Sequence, residues 1–274
     1  MTLTILVLVL GAALFLFGGS LLKAGDKKSA DNAKFVKHLI KLIAIILVAG
    51  SVCRLYVPYY LTDVNPGIVQ DMVEGMQKKQ MEDKNKAIRK YVREKAAEMT
   101  ENAPVLGNKD AEKTIYVWTA ASCGYCRRVH GELERVLAER DDVKVVIKNF
   151  SIHGVMSDAP ARAMIAAKIQ DGDKAAKLVD LVMTREYRPE EKNQDQAKLA
   201  AAIEKNIMKF AEEVGLDTAK LKEDMQGEIV ARELAQVRDL AQRFEISGTP
   251  FLIIGEEAFP GALPAEQIKA ALDK

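Results

Sequence analysis

The stretch Ala121-Ser-Cys-Gly-Tyr-Cys-Arg-Arg-Val-His130 sets two thiols three residues apart, directly behind a run with strand character. That run, TIYVWT at 114–119, is rich in β-branched and aromatic residues and reads as a buried strand. Residues 123 to about 140 have helical composition, and VKVVI at 143–147 gives a second strand. Strand, helix, strand in that order fits a right-handed parallel crossover. The first cysteine then stands at a helix N-terminus, where unpaired N–H groups and the positive end of the helix dipole favour an anion.

A thiolate is the nucleophile in disulfide exchange, so a reactive cysteine needs its pKa drawn down towards ambient pH. On this reading Cys123 is the attacking sulfur, and Cys126, one turn further in, is more buried and placed to attack a mixed disulfide on Cys123. Gly124 permits close approach of a peptide, and Tyr125 modulates the thiol environment. Arg127 and Arg128 add positive potential, although exposed charges at such positions often contribute nothing measurable. A zinc reading competes, but a closed structural site needs a fourth protein ligand beyond Cys123, Cys126 and His130, and there is no second CxxC. No metal is therefore assigned, and His130 and His153 are read as surface or helix-packing residues.

Outward from this unit, the chain has 274 residues, enough for one domain with segments to spare. Its 40 basic and 39 acidic side chains are mixed along the sequence and give no electrostatic footprint for nucleic acid. From residue 157 to about 244 the composition is helical, interrupted at YRPEEKNQ (187–194) and at GLD (215–217). Strand signals return in GTPFLIIG (248–255), and the chain closes on a short helix over 263–272. Pro250 by itself could simply begin an edge strand in trans.

The N-terminal 61 residues are of another kind. Residues 1–22 contain no charged side chain, and residues 39–61 contain only Lys41 and Arg54, so both stretches approach the ~20 residues that cross a bilayer. A cleaved signal peptide is the rival for the first, but it would begin with a basic region, and no Lys or Arg precedes Lys23. Six lysines lie between or at the start of these stretches, from Lys23 to Lys41, which keeps that loop cytoplasmic and sends everything after residue 61 across the membrane. That compartment supports disulfide chemistry. Cys53, within the second stretch, is read as a small apolar residue.

Between membrane and domain, Val69, Met72, Val73, Met76, Ile88, Tyr91, Val92 and Met99 recur at helical spacings. They describe one amphipathic helix, about 55 Å long if continuous, or two separated near the polar run 78–86. Its apolar stripe needs a partner, either the chain's own domain or other copies through residues 65–102. The predicted domains are thus 1–61, two transmembrane helices with a short cytoplasmic loop; 62–103, an amphipathic stalk or oligomerisation segment; and 104–274, an α/β unit with a helical insertion at about 156–244.

SCGYC after a strand, a helical block holding VGLD (214–217), then GTPFLIIG and FPGA (259–262), together resemble the DsbA-like thioredoxin family. The leader APVLGN (103–108) and the helix before it are similar to its ScsC-like branch, whose members carry N-terminal oligomerising helices. The resemblance covers roughly residues 65–274 and implies a thioredoxin-like fold, with Cys123 attacking, Cys126 resolving, and Thr249-Pro250 as a substrate-contacting cis-proline loop. It implies no cofactor. Many relatives carry a buried carboxylate six residues before the first cysteine; here Val117 stands there, with Ala120 and Ala121 before the motif, leaving water or Lys148 as substitutes in the proton path.

The resemblance further implies a thiol–disulfide oxidoreductase of the bacterial inner membrane, its catalytic domain periplasmic, acting on exported proteins with cysteines and served by a membrane redox partner. CGYC with a threonine before the proline is similar to the motif pairing of disulfide isomerases, which places isomerase or reductase ahead of a DsbA-type oxidase. A non-catalytic scaffold and a copper-binding dithiol module are the readings from other classes.

Overall fold

A computed structural model describes Val7, residues 9–11, 27–61, 67–189 and 195–274. Its contacts divide the chain into two units, residues 1–79 and 80–274.

In the first unit, helix α1 (Lys27–Tyr59) contains a 25-residue apolar stretch, Phe35–Tyr59, with a mean hydropathy of 2.1 over its most apolar window. Leu42, Ile43, Ile45 and Ile46 are exposed along it, so its apolar surface is not consumed by packing within the unit. The helix begins at Lys27, and the lysines from Lys27 to Lys41 therefore stand on its opening turns. Most of the first predicted span, and residues 62–66 of the connection, lie outside the described residues. Gly11, which is described, lies where a Cβ would come 3.2 Å from Val48 Cγ2, a close approach to α1 that a larger residue would disturb.

Helix α2 (Gly67–Thr100) is continuous through the polar run at 78–86. Its residues 67–79 belong to the first unit, where Val69, Met72, Val73 and Met76 are exposed. Its residues 80–100 belong to the second unit, where Ile88 and Met99 are fully buried.

The second unit is built on a five-stranded sheet in the order β1-β3-β2-β4-β5, with β1 Val105–Gly107, β2 Lys113–Thr119, β3 Val143–Asn149, β4 Phe251–Ile254 and β5 Glu257–Pro260. The β2 and β3 strands are parallel, joined through α3 (Gly124–Glu139), and the other three pairings are antiparallel. Alternation along β2 decides what covers each face. Ile115 and Val117 join one core with Val145, Ile147 and Leu252, under α3, the closing helix α9 (Ala265–Leu272) and the insertion. Tyr116 and Trp118 join the other core with Val146, Phe251 and Ile253, under the C-terminal half of α2 and Phe244.

The helical insertion comprises α4 (Val155–Gln170), α5 (Gly172–Thr184), α6 (Gln196–Glu213), α7 (Thr218–Asp224) and α8 (Glu228–Arg243). Aspartates cap three of these: Asp171, Asp195 and Asp217 accept from first-turn N–H groups of α5, α6 and α7. The last helix bridges both cores, with Val230 and Leu234 in the first and Val237, Leu240 and Ala241 in the second. Next to Leu234, Glu233 meets Lys148 of β3 at 2.6 Å, both side chains being buried. Lys148 also donates to the Met99 carbonyl at 2.8 Å and to Gln236 Oε1 at 2.8 Å. One buried cation thus joins the sheet, α8 and the end of α2.

Candidate active site

The strand β2 ends at Thr119, and the chain turns through Ala120 to Ser122 before α3 begins. Cys123 is the N-cap residue: its N–H donates to the Ala120 carbonyl at 2.9 Å, and its own carbonyl accepts from Arg127 N–H at 3.1 Å. Its sulfur therefore sits beside first-turn N–H groups that have no helical acceptor. Cys126 lies on the buried side of the first turn, fully enclosed, and its sulfur accepts from Ala120 N–H at 3.5 Å. Both cysteines are free thiols.

The loop before β4 faces them. The Thr249–Pro250 peptide is cis, and the Cys123 thiol donates to the Thr249 carbonyl at 3.5 Å. The Thr249 hydroxyl is buried with no hydrogen-bond partner among the described residues, and it lies where it can donate to either sulfur once charged. Gly124 opens the other side, since no atom lies within 4 Å of where its Cβ would stand. Tyr125 is 63% exposed on the rim, with the Arg128 guanidinium 5.5 Å from its ring centre.

The two thiols are driven apart electrostatically. Burial pushes Cys123 up, but the Cys126 N–H and thiol, the Thr249 hydroxyl and the Tyr125 N–H stabilise its thiolate more strongly, so its pKa is lowered overall. At Cys126 burial wins, and the pKa is pushed up to about 11. The outer sulfur is the better anion and the inner one is held as a thiol. That difference suits disulfide exchange, in which one thiolate attacks and a second thiol waits for the mixed disulfide.

The surroundings differ from the sequence reading in two places. Arg127 turns away from the sulfurs to donate to the Val182 and Arg185 carbonyls at the C-terminus of α5, where it satisfies orphan acceptors. Lys148, considered for the proton path, projects from β3 to the opposite face of the sheet, because its register partner Trp118 belongs to the core under α2 and α8. His130, read as a surface or helix-packing residue, is buried, and its Nε2 lies 3.2 Å from Asp180 Oδ1. Sequence reading missed one feature, Ser122, whose hydroxyl lies 2.7 Å from His153 Nδ1 beside the first cysteine. A histidine near the start of the helix after β3 was the available signal, but only the folded loop brings it back to the motif.

Comparison with known proteins agrees with this geometry. A thioredoxin family model matches residues 98–274. A thioredoxin-like oxidoreductase from Silicibacter pomeroyi is 31% identical and superposes with a TM-score of 0.53, covering 63% of this chain and 91% of that one. A linker-deletion variant of Proteus mirabilis ScsC, 21% identical, superposes with a TM-score of 0.56 over 76% of this chain and 91% of that one. Among curated proteins, disulfide bond formation protein D of Bacillus subtilis is 22% identical over 175 residues, 62% of this chain and 76% of that protein. The Na(+)/H(+) antiporter NhaA 3 of Salinispora tropica is also 22% identical, over 168 residues, and there the match spans only 24% of the relative's length against 61% of this chain.

The chain belongs to the thioredoxin family, and its domain is of the thiol–disulfide oxidoreductase class. The resemblance to DsbA-like proteins, ScsC among them, is borne out at the level of family and fold.

Proposed function

We propose that the whole protein is a membrane-anchored thiol–disulfide oxidoreductase that acts on exported proteins, working as a disulfide isomerase or reductase. The observation that carries this reading is the asymmetry of the thiol pair: a half-buried Cys123 with a lowered pKa at the N-terminus of α3, and a buried Cys126 raised to about 11 one turn behind it. Cys123 attacks a substrate disulfide and Cys126 resolves the mixed disulfide. Substrate lies along Gly124, Tyr125, Thr249 and Pro250, where the missing Cβ, the exposed ring and the Thr249 backbone offer room, apolar contact and a polar edge.

Two features of the first unit support the rest. The 25-residue apolar stretch with exposed flanks in α1 has the length of a membrane anchor, and the lysines at its start favour the cytoplasmic side for that end, leaving the domain in the periplasm of a bacterial inner membrane. The stripe Val69, Met72, Val73 and Met76, at spacings of three and four, is exposed and suits self-association of copies, which would hold several thiol pairs around one misfolded substrate. A membrane redox partner would reset the pair.

Refolding of a scrambled-disulfide protein decides between directions when measured beside oxidation of a reduced dithiol peptide. The full chain is expected to rescue the scrambled protein, and a fragment starting at Gln80 to lose most of that rescue while retaining peptide exchange. Peptide oxidation by both without rescue by either would make the protein an oxidase.

A further inference from the structure

Resolution of a mixed disulfide requires Cys126 to lose its proton within one encounter, yet the contacts at its sulfur supply a donor, Ala120 N–H, and the strand position behind it holds Val117. With a pKa of about 11, only about one molecule in 10⁴ carries that thiolate at pH 7. The described residues around the sulfur do contain one side chain able to accept a proton. A small cavity of about 10 Å³ lies against Cys126, and Val117, Thr119, Ile147, Met183 and His130 share its wall. That volume is close to one water-sized sphere.

His130 follows Cys126 by four residues on α3, so the two stand on the same helix face. His130 is 2% exposed, with Nε2 at 3.2 Å from Asp180 Oδ1 and 3.9 Å from Glu134 Oε1. Those two carboxylates line a second, open cavity of about 730 Å³ on the outer side. The groups facing this arrangement are Glu134 from α3, Asp180 and Lys177 from α5 and Glu213 from α6, while β2 and β3 present Thr119 and apolar side chains. A buried imidazole therefore stands between the small cavity at the resolving thiol and two half-exposed carboxylates at the surface.

We propose that His130 is the proton relay of the resolving step, taking the Cys126 proton through the small cavity and passing it to solvent by way of Asp180 and Glu134. The inference rests on the redox reading of the thiol pair. As the Cys126 S–H proton moves to the ring, the sulfur attacks Cys123 Sγ, the Cys123–Cys126 bond forms and the bond from Cys123 to the substrate sulfur breaks. The substrate thiolate leaves with the electron pair and takes a proton from water. The two cysteines are oxidised, the substrate is reduced, and His130 returns its proton to solvent. With Nε2–H donating to Asp180, the ring keeps one acceptor nitrogen for the Cys126 proton.

The test uses the full chain in detergent micelles, carrying a mixed disulfide between Cys123 and a peptide thiol, with peptide release followed by stopped flow from pH 5.5 to 9.5. His130→Asn can still bond to Asp180 but accepts no proton. Release is expected to slow about 100-fold at neutral pH, and its pH profile to lose its bend and rise tenfold per unit, while the attack of Cys123 on a disulfide peptide keeps its rate. Asp180→Asn keeps the ring and removes the carboxylate that carries its proton onward, so release should slow several-fold while attack keeps its rate. Release within twofold of wild type at every pH in His130→Asn overturns the relay, as does equal slowing of attack and release. Unslowed release in Asp180→Asn overturns it from an intact ring. A wild-type chain in which Cys123 never forms or releases a mixed disulfide would overturn the redox reading itself, and the relay with it.

Discussion

The Cys123 thiol stands 3.5 Å from the Thr249 carbonyl, 126 residues along the chain, and the hydroxyl of the same threonine is the free donor beside both sulfurs. A hydroxyl that stabilises either thiolate should be missed when it is removed. Thr249→Val keeps the side-chain shape and deletes the donor. The Cys123 pKa should rise, read by thiolate absorbance against pH, and attack on a small disulfide at pH 7 should slow roughly two- to tenfold. The backbone carbonyl is untouched, so an unchanged titration would show that the N–H groups of α3 stabilise the anion without help.

Cys126 makes reduced-state stability depend on alkaline pH. Its pKa is raised from an ordinary value near 9 to about 11, so above pH 9 the unfolded chain releases this proton while the folded chain keeps it. The contribution is fully present below pH 9 and is lost as pH rises towards 11, with a size of about 3 kcal/mol. Cys123, lowered in the fold, acts in the opposite sense, adding stability to the reduced protein as pH rises above its folded value. In urea melts of the reduced protein, Cys126→Ala should remove most of the decline between pH 9 and 11. A parallel decline in the variant would assign the loss to Tyr187, also raised by burial to about 12, and to other alkaline groups.

Much of this arrangement is legible along the chain because it is local. TIYVWT alternates between two faces, and both faces prove to be covered; CGYC at the next turn inherits the helix N-terminus from that strand's end. The helical block after β3 was evident from composition, but its last helix crossing from one core to the other was not. Lys148 shows why. Read in sequence it is a lysine in a largely apolar strand, a candidate for the thiols; only the register that sets it opposite Trp118 assigns it to the far face, and only folding supplies Glu233, 85 positions away. His130 is the reverse case, passed over as packing although it lines the cavity at Cys126, because Asp180 lies 50 residues on and no periodicity links them.

The Lys148–Glu233 pair should behave as a buried ion pair does. Burial lowers the lysine pKa and raises that of the glutamate, with the partner's charge opposing the shift at each. Lys148→Met alone leaves a buried carboxylate without its cation and should cost about 3–5 kcal/mol in denaturant unfolding, whereas Lys148→Met with Glu233→Leu should recover most of that loss. Thiol exchange by the double variant should stay close to wild type, since both side chains lie across the sheet from Cys126. A large loss of exchange with stability restored would place this pair in the proton path after all.

The two halves of α2 should respond differently to the same kind of change. Ile88 is fully enclosed in the core with Tyr116, Trp118 and Phe244, so Ile88→Ala removes buried methyl groups and should destabilise the domain by about 2–4 kcal/mol. Met72 and Met76 are 59% and 69% exposed one turn apart, and replacing both by Gln should leave domain unfolding within about 0.5 kcal/mol of wild type. If the exposed stripe is where copies meet, the same double variant should lower the oligomeric mass by light scattering and reduce rescue of scrambled substrate, with peptide exchange unchanged. Loss of domain stability in the Met72 and Met76 variant would mean that this half of the helix, like the other, is consumed by packing on its own chain.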